Sequence, residues 1–370
     1  MKKYAQLFWG VCGIFLATKV FGQATLKEAF KDDFRIGAAL NPSEFTGANS
    51  NADAIILAQF NTISPENVLK WGSVHPIAGQ FDFSQADRYV KFGLRHGMFI
   101  VGHNLIWHEQ TPRWVFEDGD GNPVDRATLL QRMREHIFTV VGHYRGRIGG
   151  WDVVNEALNE DGTLRDSPWR KIIGDDYIVK AYQFAHQADP KVQLYYNDYS
   201  LENLPKRQGG MALIKKLQAA GVPITAIGLQ EHDSLSWPAT NEVDETISAF
   251  GALGIKVMIT ELDIDVLPSA WENHGADVSE NVELQSKLNP YPNGLPDSVQ
   301  QQLAQRYADL FSVFVKHRSK ISRVTFWGVT DADSWLNNWP VRGRTSYPLL
   351  FDRNCQPKPA FAAVIRTARQ

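Results

Sequence analysis

Eight short runs rich in β-branched and aromatic residues recur along the chain, separated by longer segments with the periodicity of amphipathic helices. The runs are Phe34–Ala39, Phe60–Ser64, Phe99–His103, Gly150–Val154, Gln193–Tyr196, Ala226–Leu229, Val257–Thr260 and Val324–Trp327. Helices are predicted between them, among others over Leu129–Tyr144, Asp176–Ala188, Arg207–Ala220, Glu242–Leu253 and Val299–His317. A strand that is apolar along its whole length is covered on both faces, as in a parallel sheet. Eight strand–helix units in 370 residues fit an α/β fold of the (β/α)8 barrel type. No Pro- or Ser-rich linker divides the chain and no internal repeat is visible. The expectation is a single domain from about residue 24 to the end.

The first 23 residues read differently. Lys2 and Lys3 precede a mostly apolar stretch from Leu7 to Phe21, followed by Gly22-Gln23-Ala24. This is the pattern of a secretory signal peptide cleaved near residues 22–24. A permanent anchor is the alternative, but the stretch is short and interrupted by Lys19. Cys12 raises a lipoprotein signal, which Trp9-Gly10-Val11 match poorly. Localisation is therefore expected outside the cytoplasm, either secreted or at the periplasm and cell envelope. Loss of Lys2, Lys3 and Lys19 takes the formal charge from −3 to −6. A mildly acidic chain without a basic run argues against nucleic acid as a partner. Only Cys355 follows the cleavage point, so stability must come from packing and not from an internal disulfide. A monomer is expected, with no membrane association after signal removal.

The polar residues gather where a barrel keeps its chemistry, at the carboxyl ends of the strands and in the loops that follow. In chain order these are Asn41, Glu66, Asn67, Lys70, Trp71, His103, Trp107, His108, Asn155, Glu156, Asn197, Asp198, Tyr199, Gln230, His232, Glu261, Asp263, Trp327 and Trp335. Glu156 ends Gly150-Trp-Asp-Val-Val-Asn-Glu156, and Glu261 ends Ile255-Lys-Val-Met-Ile-Thr-Glu261. Two acids delivered from separate strands into one pocket can do the paired chemistry that breaks glycosidic bonds. Each residue alone has a plainer reading: a solvated loop acid, half of an ion pair, a core histidine, a surface lysine, a core tryptophan. Their joint placement favours one cleft.

Other chemistries fit less well. His103, His108 and His232 could converge on a metal, but there is no His-x-His, His-Glu-x-x-His or cysteine cluster. No Gly-x-Ser-x-Gly nucleophile elbow and no Gly-rich phosphate loop is present. No cofactor or metal is expected.

At this point the resemblance becomes specific. The matching segments are Ser64-Pro-Glu-Asn-Val-Leu-Lys-Trp71, Gly102-His-Asn-Leu-Ile-Trp-His-Glu-Gln-Thr-Pro112, Trp151-Asp-Val-Val-Asn-Glu-Ala157 and Tyr196-Asn-Asp-Tyr199. Gly228-Leu-Gln-Glu-His232, Ile259-Thr-Glu-Leu-Asp263, Phe326-Trp-Gly-Val-Thr-Asp-Ala-Asp-Ser-Trp335, Pro348-Leu-Leu-Phe-Asp352 and Pro357-Lys-Pro-Ala-Phe361 follow. In this order, over nearly the whole mature chain, they resemble a glycoside hydrolase family 10 xylanase. Two departures are small. Val68-Leu69 replaces an acid–Met pair, and Glu109 stands where a small or amide residue is common.

The resemblance implies a retaining endo-β-1,4-xylanase acting on xylan or xylooligosaccharides, with Glu156 as acid/base and Glu261 as nucleophile. A retaining pair is expected about 5–5.5 Å apart, and repulsion from Glu261 in a partly dry cleft should raise the pKa of Glu156. By the same resemblance, Asn155 contacts the sugar 2-hydroxyl, and His232 with Asp263 orients the nucleophile. Glu66, Asn67, Lys70 and His103 resemble partners of the glycone hydroxyls. Gln230 belongs to the substrate-binding set. Trp107, Trp327 and Trp335 offer flat faces to pyranose rings, and Tyr199 an aglycone platform. Trp335 is the candidate wall against a hydroxymethyl arm, a discrimination worth about 1–3 kcal/mol, so some turnover of aryl cellobiosides is expected.

Pro268–Pro296 is a long stretch with little apolar periodicity. Barrel topology puts it at the mouth, where it could shape aglycone subsites. Glu272, Asn273, Asp277, Glu280 and Glu283 could hold calcium, although a solvated loop without an ion is the simpler reading. Two alternatives stay open: a barrel that binds β-glycan without cutting it, and a β-1,4-glucan or cellobioside hydrolase on the same scaffold. A pure binder has no need of two matched acids.

Overall fold

A computed structural model describes residues 24–269 and 283–368. The predicted signal segment and residues 270–282 of the long loop, with Glu272, Asn273, Asp277 and Glu280, lie outside the described residues.

Among the described residues nine strands form one parallel sheet: β1 Arg35–Leu40, β2 Thr62–Pro65, β3 Phe99–Ile106, β4 Gly150–Asn155, β5 Gln193–Asp198, β6 Ala226–Leu229, β7 His232–Ser234, β8 Lys256–Asp265 and β9 Ile321–Phe326. The sheet closes because β1 pairs with β9 and β6 pairs with β8. β7 is a short continuation beyond β6 that pairs with the far half of β8. The closed barrel therefore has eight staves, with helices between them, as the sequence predicts.

Burial explains why these segments are strands. β4 is buried at every position, and β8 at every position between its two ends. Inside the barrel, residues are chosen for fit as much as for polarity. A methyl group on Gly150 would lie 2.1 Å from the Tyr195 hydroxyl oxygen, so only glycine admits that ring. Outside it, helices lay apolar stripes on the sheet. Leu129, Met133, Ile137 and Val140 of helix Arg126–His143 are buried, and Asp125 caps that helix through the Thr128 amide. Helices Tyr177–Ala188, Leu204–Ala219, Thr240–Gly251 and Asp297–Lys316 occupy their predicted places within a few residues.

One difference bears on the site. Glu261 does not end its strand, because β8 continues to Asp265. The extension exists because β7 supplies a partner, with His232 opposite Asp263, Asp233 opposite Ile264 and Ser234 opposite Asp265. Glu261, Asp263 and Asp265 are two residues apart and so lie on one side of the ribbon.

Of the long loop, residues 283–296 dock on the segment after β9. Leu288 is buried, Asn289 Oδ1 accepts from the Thr345 amide at 3.1 Å, and the Tyr291 carbonyl accepts from the Tyr347 hydroxyl. Glu283 is exposed. Among the described residues no helix is long and apolar enough to cross a membrane.

Candidate active site

Glu156 follows β4 directly, and its backbone is left-handed, at φ 54°. A non-glycine residue in that region costs about 1–3 kcal/mol and persists only where its surroundings pin it. Here the Glu156 amide donates to the Asn197 carbonyl at 2.9 Å, and Arg165 Nε donates to the Glu156 carbonyl at 3.2 Å. The turn aims the side chain into the barrel mouth. There Trp107 Nε1 donates to Oε2 at 2.7 Å, and Gln230 Nε2 and Asn155 Nδ2 donate to Oε1 at 2.9 and 3.0 Å. All three donors are neutral. Burial therefore wins: the Glu156 pKa is raised to about 7 in spite of the hydrogen bonds from Gln230 and Trp107. Repulsion from Glu261, expected from the sequence as the cause, contributes less than burial and less than Asp198.

Glu261 is equally buried but sits among charges. Asn197 Nδ2 donates to Oε1 at 2.7 Å, and His232 Nε2 lies 3.2 Å from Oε2. His232 Nδ1 lies 3.0 Å from Asp263 Oδ1, and Trp335 Nε1 donates to Asp263 Oδ2 at 2.6 Å. Burial opposes a charge on His232, yet Asp263 and Glu261 together raise its pKa to about 10. It is thus an imidazolium that donates from both nitrogens, a stronger arrangement than a fixed neutral tautomer. Burial alone would push Glu261 up; the hydrogen bond from His232, with nearby imidazole charge and Asn197, brings it below the ordinary glutamate value. Below about pH 7 the two carboxyls thus hold opposite protonation states.

Amides join them. Asn197 Nδ2 also donates to Asn155 Oδ1 at 2.8 Å, and Asn155 donates to Glu156. Asn197 Oδ1 accepts from the Thr260 hydroxyl at 2.6 Å, which sets the orientation of the side-chain amide.

The other predicted residues gather around this pair. Lys70 is buried, donates to Asn67 Oδ1 at 2.9 Å and lies 4.9 Å from the Trp107 ring. Burial lowers the pKa of Lys70, while Glu261, Glu66 and Glu156 draw it upward again. Glu66 is half-buried, and burial raises its pKa against the pull of Lys70. His103 is held by Asp152 at 3.0 Å and meets Trp327 edge-on at 5.5 Å. Trp335 lies 4.8 Å from His232 and stacks on Trp339 at 4.4 Å, which makes it a braced wall. Tyr199 accepts from Arg165 Nη2 at 2.8 Å, and the Lys206 ammonium sits 3.6 Å over its ring. Among the described residues no three His, Cys, Asp or Glu side chains are placed to hold a metal.

Sequence reasoning noted Asn197 and Asp198 only as strand-end residues and missed Arg165 and Lys206. Lys206 is fully buried between Asp198, at 3.2 Å, and Glu160, at 3.0 Å. No local pattern marks such a lysine, because its partners come from the end of β5 and from the loop after β4.

Three acids lie just beneath. Glu202, Glu231 and Asp233 are all buried, and Arg306 bonds Asp233 at 3.0 Å. Burial and mutual repulsion raise Glu231 well above the usual range and Asp233 to about 8. Acids with raised folded-state pKa values favour folding when protonated, so their contribution declines as pH climbs from the unfolded value near 4 through the folded one. Glu231→Gln, which keeps the shape and removes the proton, should therefore gain melting temperature relative to the parent as pH goes from 5 to 9. Parallel melting curves with an unchanged difference across that range would contradict this.

The profile described as Glycosyl hydrolase family 10 matches residues 25–367. The chain is 42% identical over 366 residues to endo-1,4-beta-xylanase A of Xylanibacter ruminicola, covering 99% of each. Among solved structures, an endoxylanase retrieved from a sugarcane soil metagenome superposes with TM-score 0.90 at 45% identity, covering 92% of this chain and 99% of that one. A mutant structure in complex with xylotriose superposes with TM-score 0.82 at 36% identity, covering 93% of this chain and 99% of that one.

Proposed function

The chain belongs to glycosyl hydrolase family 10, and from that premise we propose that it is an endo-1,4-β-xylanase that cuts xylan with retention, Glu156 being its acid/base and Glu261 its nucleophile. The observation that carries this assignment of roles is the asymmetry between the two buried carboxyls. Glu156 is ringed by neutral donors and pushed up to about 7, whereas Glu261 is lowered beside a charged imidazole.

The first step needs a proton on the leaving oxygen and a free electron pair at the anomeric carbon. Glu156 holds the proton, and Glu261 the electron pair. As Glu261 forms the glycosyl ester its charge vanishes, which removes the repulsion that helped keep Glu156 protonated. Glu156 can then take a proton from water, which attacks the same carbon and frees Glu261. Asn155 and Asn197, bonded to one carboxyl each and to each other, keep the two in register through both steps. Lys70, Asn67, Glu66, His103 and Gln230 are the proposed hydroxyl partners of the sugars, and Trp107, Trp327, Trp335 and Tyr199 the proposed stacking faces.

Xylan beside carboxymethylcellulose, with anomers followed by NMR, tests the assignment. Reducing ends from xylan, appearing first as the β anomer, are expected; an α-first product or no turnover would overturn it. The pH profile follows from the two carboxyls. On xylotetraose, kcat/KM should fall below pH 4.5 as Glu261 gains a proton and fall again above about pH 7 as Glu156 loses its own. With a dinitrophenyl xylobioside, whose leaving group needs no proton, the limb near pH 7 should disappear.

A further inference from the structure

We propose that Arg165 is a positioning residue for the acid/base carboxyl, acting through the Glu156 backbone and braced by Tyr199 and Lys206. This rests on the reading of Glu156 given above. The hairpin after β4 returns on itself, with Leu158 bridged to Leu164 and the Arg165 amide donating to the Ala157 carbonyl at 2.7 Å. That return sets the Arg165 guanidinium beside a residue nine positions earlier. Nε reaches the Glu156 carbonyl at 3.2 Å, and Nη2 reaches the Tyr199 hydroxyl at 2.8 Å.

The grip falls on the one residue in this turn whose backbone is left-handed and not glycine. Its amide is already held by the Asn197 carbonyl. With the carbonyl held as well, both peptide planes flanking Glu156 are fixed, and with them the direction of its side chain. Tyr199 cannot drift from Arg165, because Lys206 presses on its ring at 3.6 Å while bonded to Asp198 and Glu160. The Tyr199 amide is in turn tied to Asp198 at 2.9 Å. Lys206, Tyr199, Arg165 and the Glu156 carbonyl form one chain of contacts across two loops. The Glu156 carboxyl oxygens are themselves held by Trp107, Gln230 and Asn155, so loss of the grip on the backbone should misplace the carboxyl without removing it.

The consequence is selective. A misplaced acid slows departure of a sugar alcohol and leaves departure of a stable phenolate nearly untouched. Arg165→Gln should lower kcat/KM for xylotetraose about tenfold to a hundredfold. Its kcat/KM for a dinitrophenyl xylobioside should stay within about threefold of the parent. On that activated substrate kcat should fall, with a burst of phenolate, because the same carboxyl must then serve as base. Arg165→Lys keeps a charge but cannot bridge both oxygens, and should fall between the two. The ratio of the two kcat/KM values is internal to each sample, so a partly unfolded variant does not disturb it. Equal losses on both substrates, or no loss on either, would overturn the proposal. Glu156→Gln measured alongside separates the two levels. If it too lacks leaving-group selectivity, the acid/base assignment is what fails. If it is selective and both Arg165 variants are not, only the positioning role fails.

Discussion

Replacing Glu261 by alanine should lower xylan hydrolysis on the order of 10^5-fold or more, the scale of losing a nucleophile in a covalent mechanism. The fold should survive, since His232 keeps Asp263 as its partner at 3.0 Å and Asp263 keeps the Trp335 indole. The cavity left by the carboxylate, lined by the Asn197 amide and the charged His232, should accept a small anion. Azide with a dinitrophenyl xylobioside should therefore give the α-glycosyl azide, because the anion attacks from the side Glu261 has vacated. Formation of the β azide, or activity within a hundredfold of the parent on xylan, would sink the nucleophile assignment.

Glu156→Ala should behave as its mirror image. Loss of a general acid costs about 10^2- to 10^4-fold on xylan. Activated aryl xylobiosides should keep their kcat/KM, and the glycosyl-enzyme should accumulate for want of a base. Azide should now give the β-glycosyl azide, since it enters where Trp107, Asn155 and Gln230 formerly held the acid. Opposite anomers from the two variants would identify which carboxyl lies on which side of the sugar. The same anomer from both would refute the division of roles.

Much of this was legible in the sequence because parallel barrel strands are buried throughout. An unbroken apolar run such as Gly150–Val154 has few other places to go. The catalytic candidates were legible for a related reason, since Asn155-Glu156 and Thr260-Glu261 place polar residues at the end of such runs. The true limit of β8 was not. Its last residues, Asp263–Asp265, are held by a three-residue strand, His232–Ser234, too short and polar to announce itself. The dominance of burial over repulsion in the raised Glu156 pKa was not legible either, because burial of a residue at a strand end depends on loops from elsewhere in the chain. Arg165 and Lys206 escaped for the same reason. A cation in a polar loop or in the first turn of a helix reads as solvated until its partners Tyr199, Asp198 and Glu160 arrive from other segments.

The pairing of β7 with β8 has a bearing on how this enzyme could be altered. His232 and Asp263 stand directly across a peptide ladder, so their spacing is dictated by main-chain geometry and not by side-chain reach. Point substitutions nearby can vary while that spacing holds. A one-residue insertion or deletion in 232–234 or 263–265 slips one strand against the other, which takes His232 and Asp263 out of register and strands the imidazole without its counter-ion. Libraries meant to shift the acidity range of the enzyme should thus randomise identities in these two stretches and leave their lengths alone.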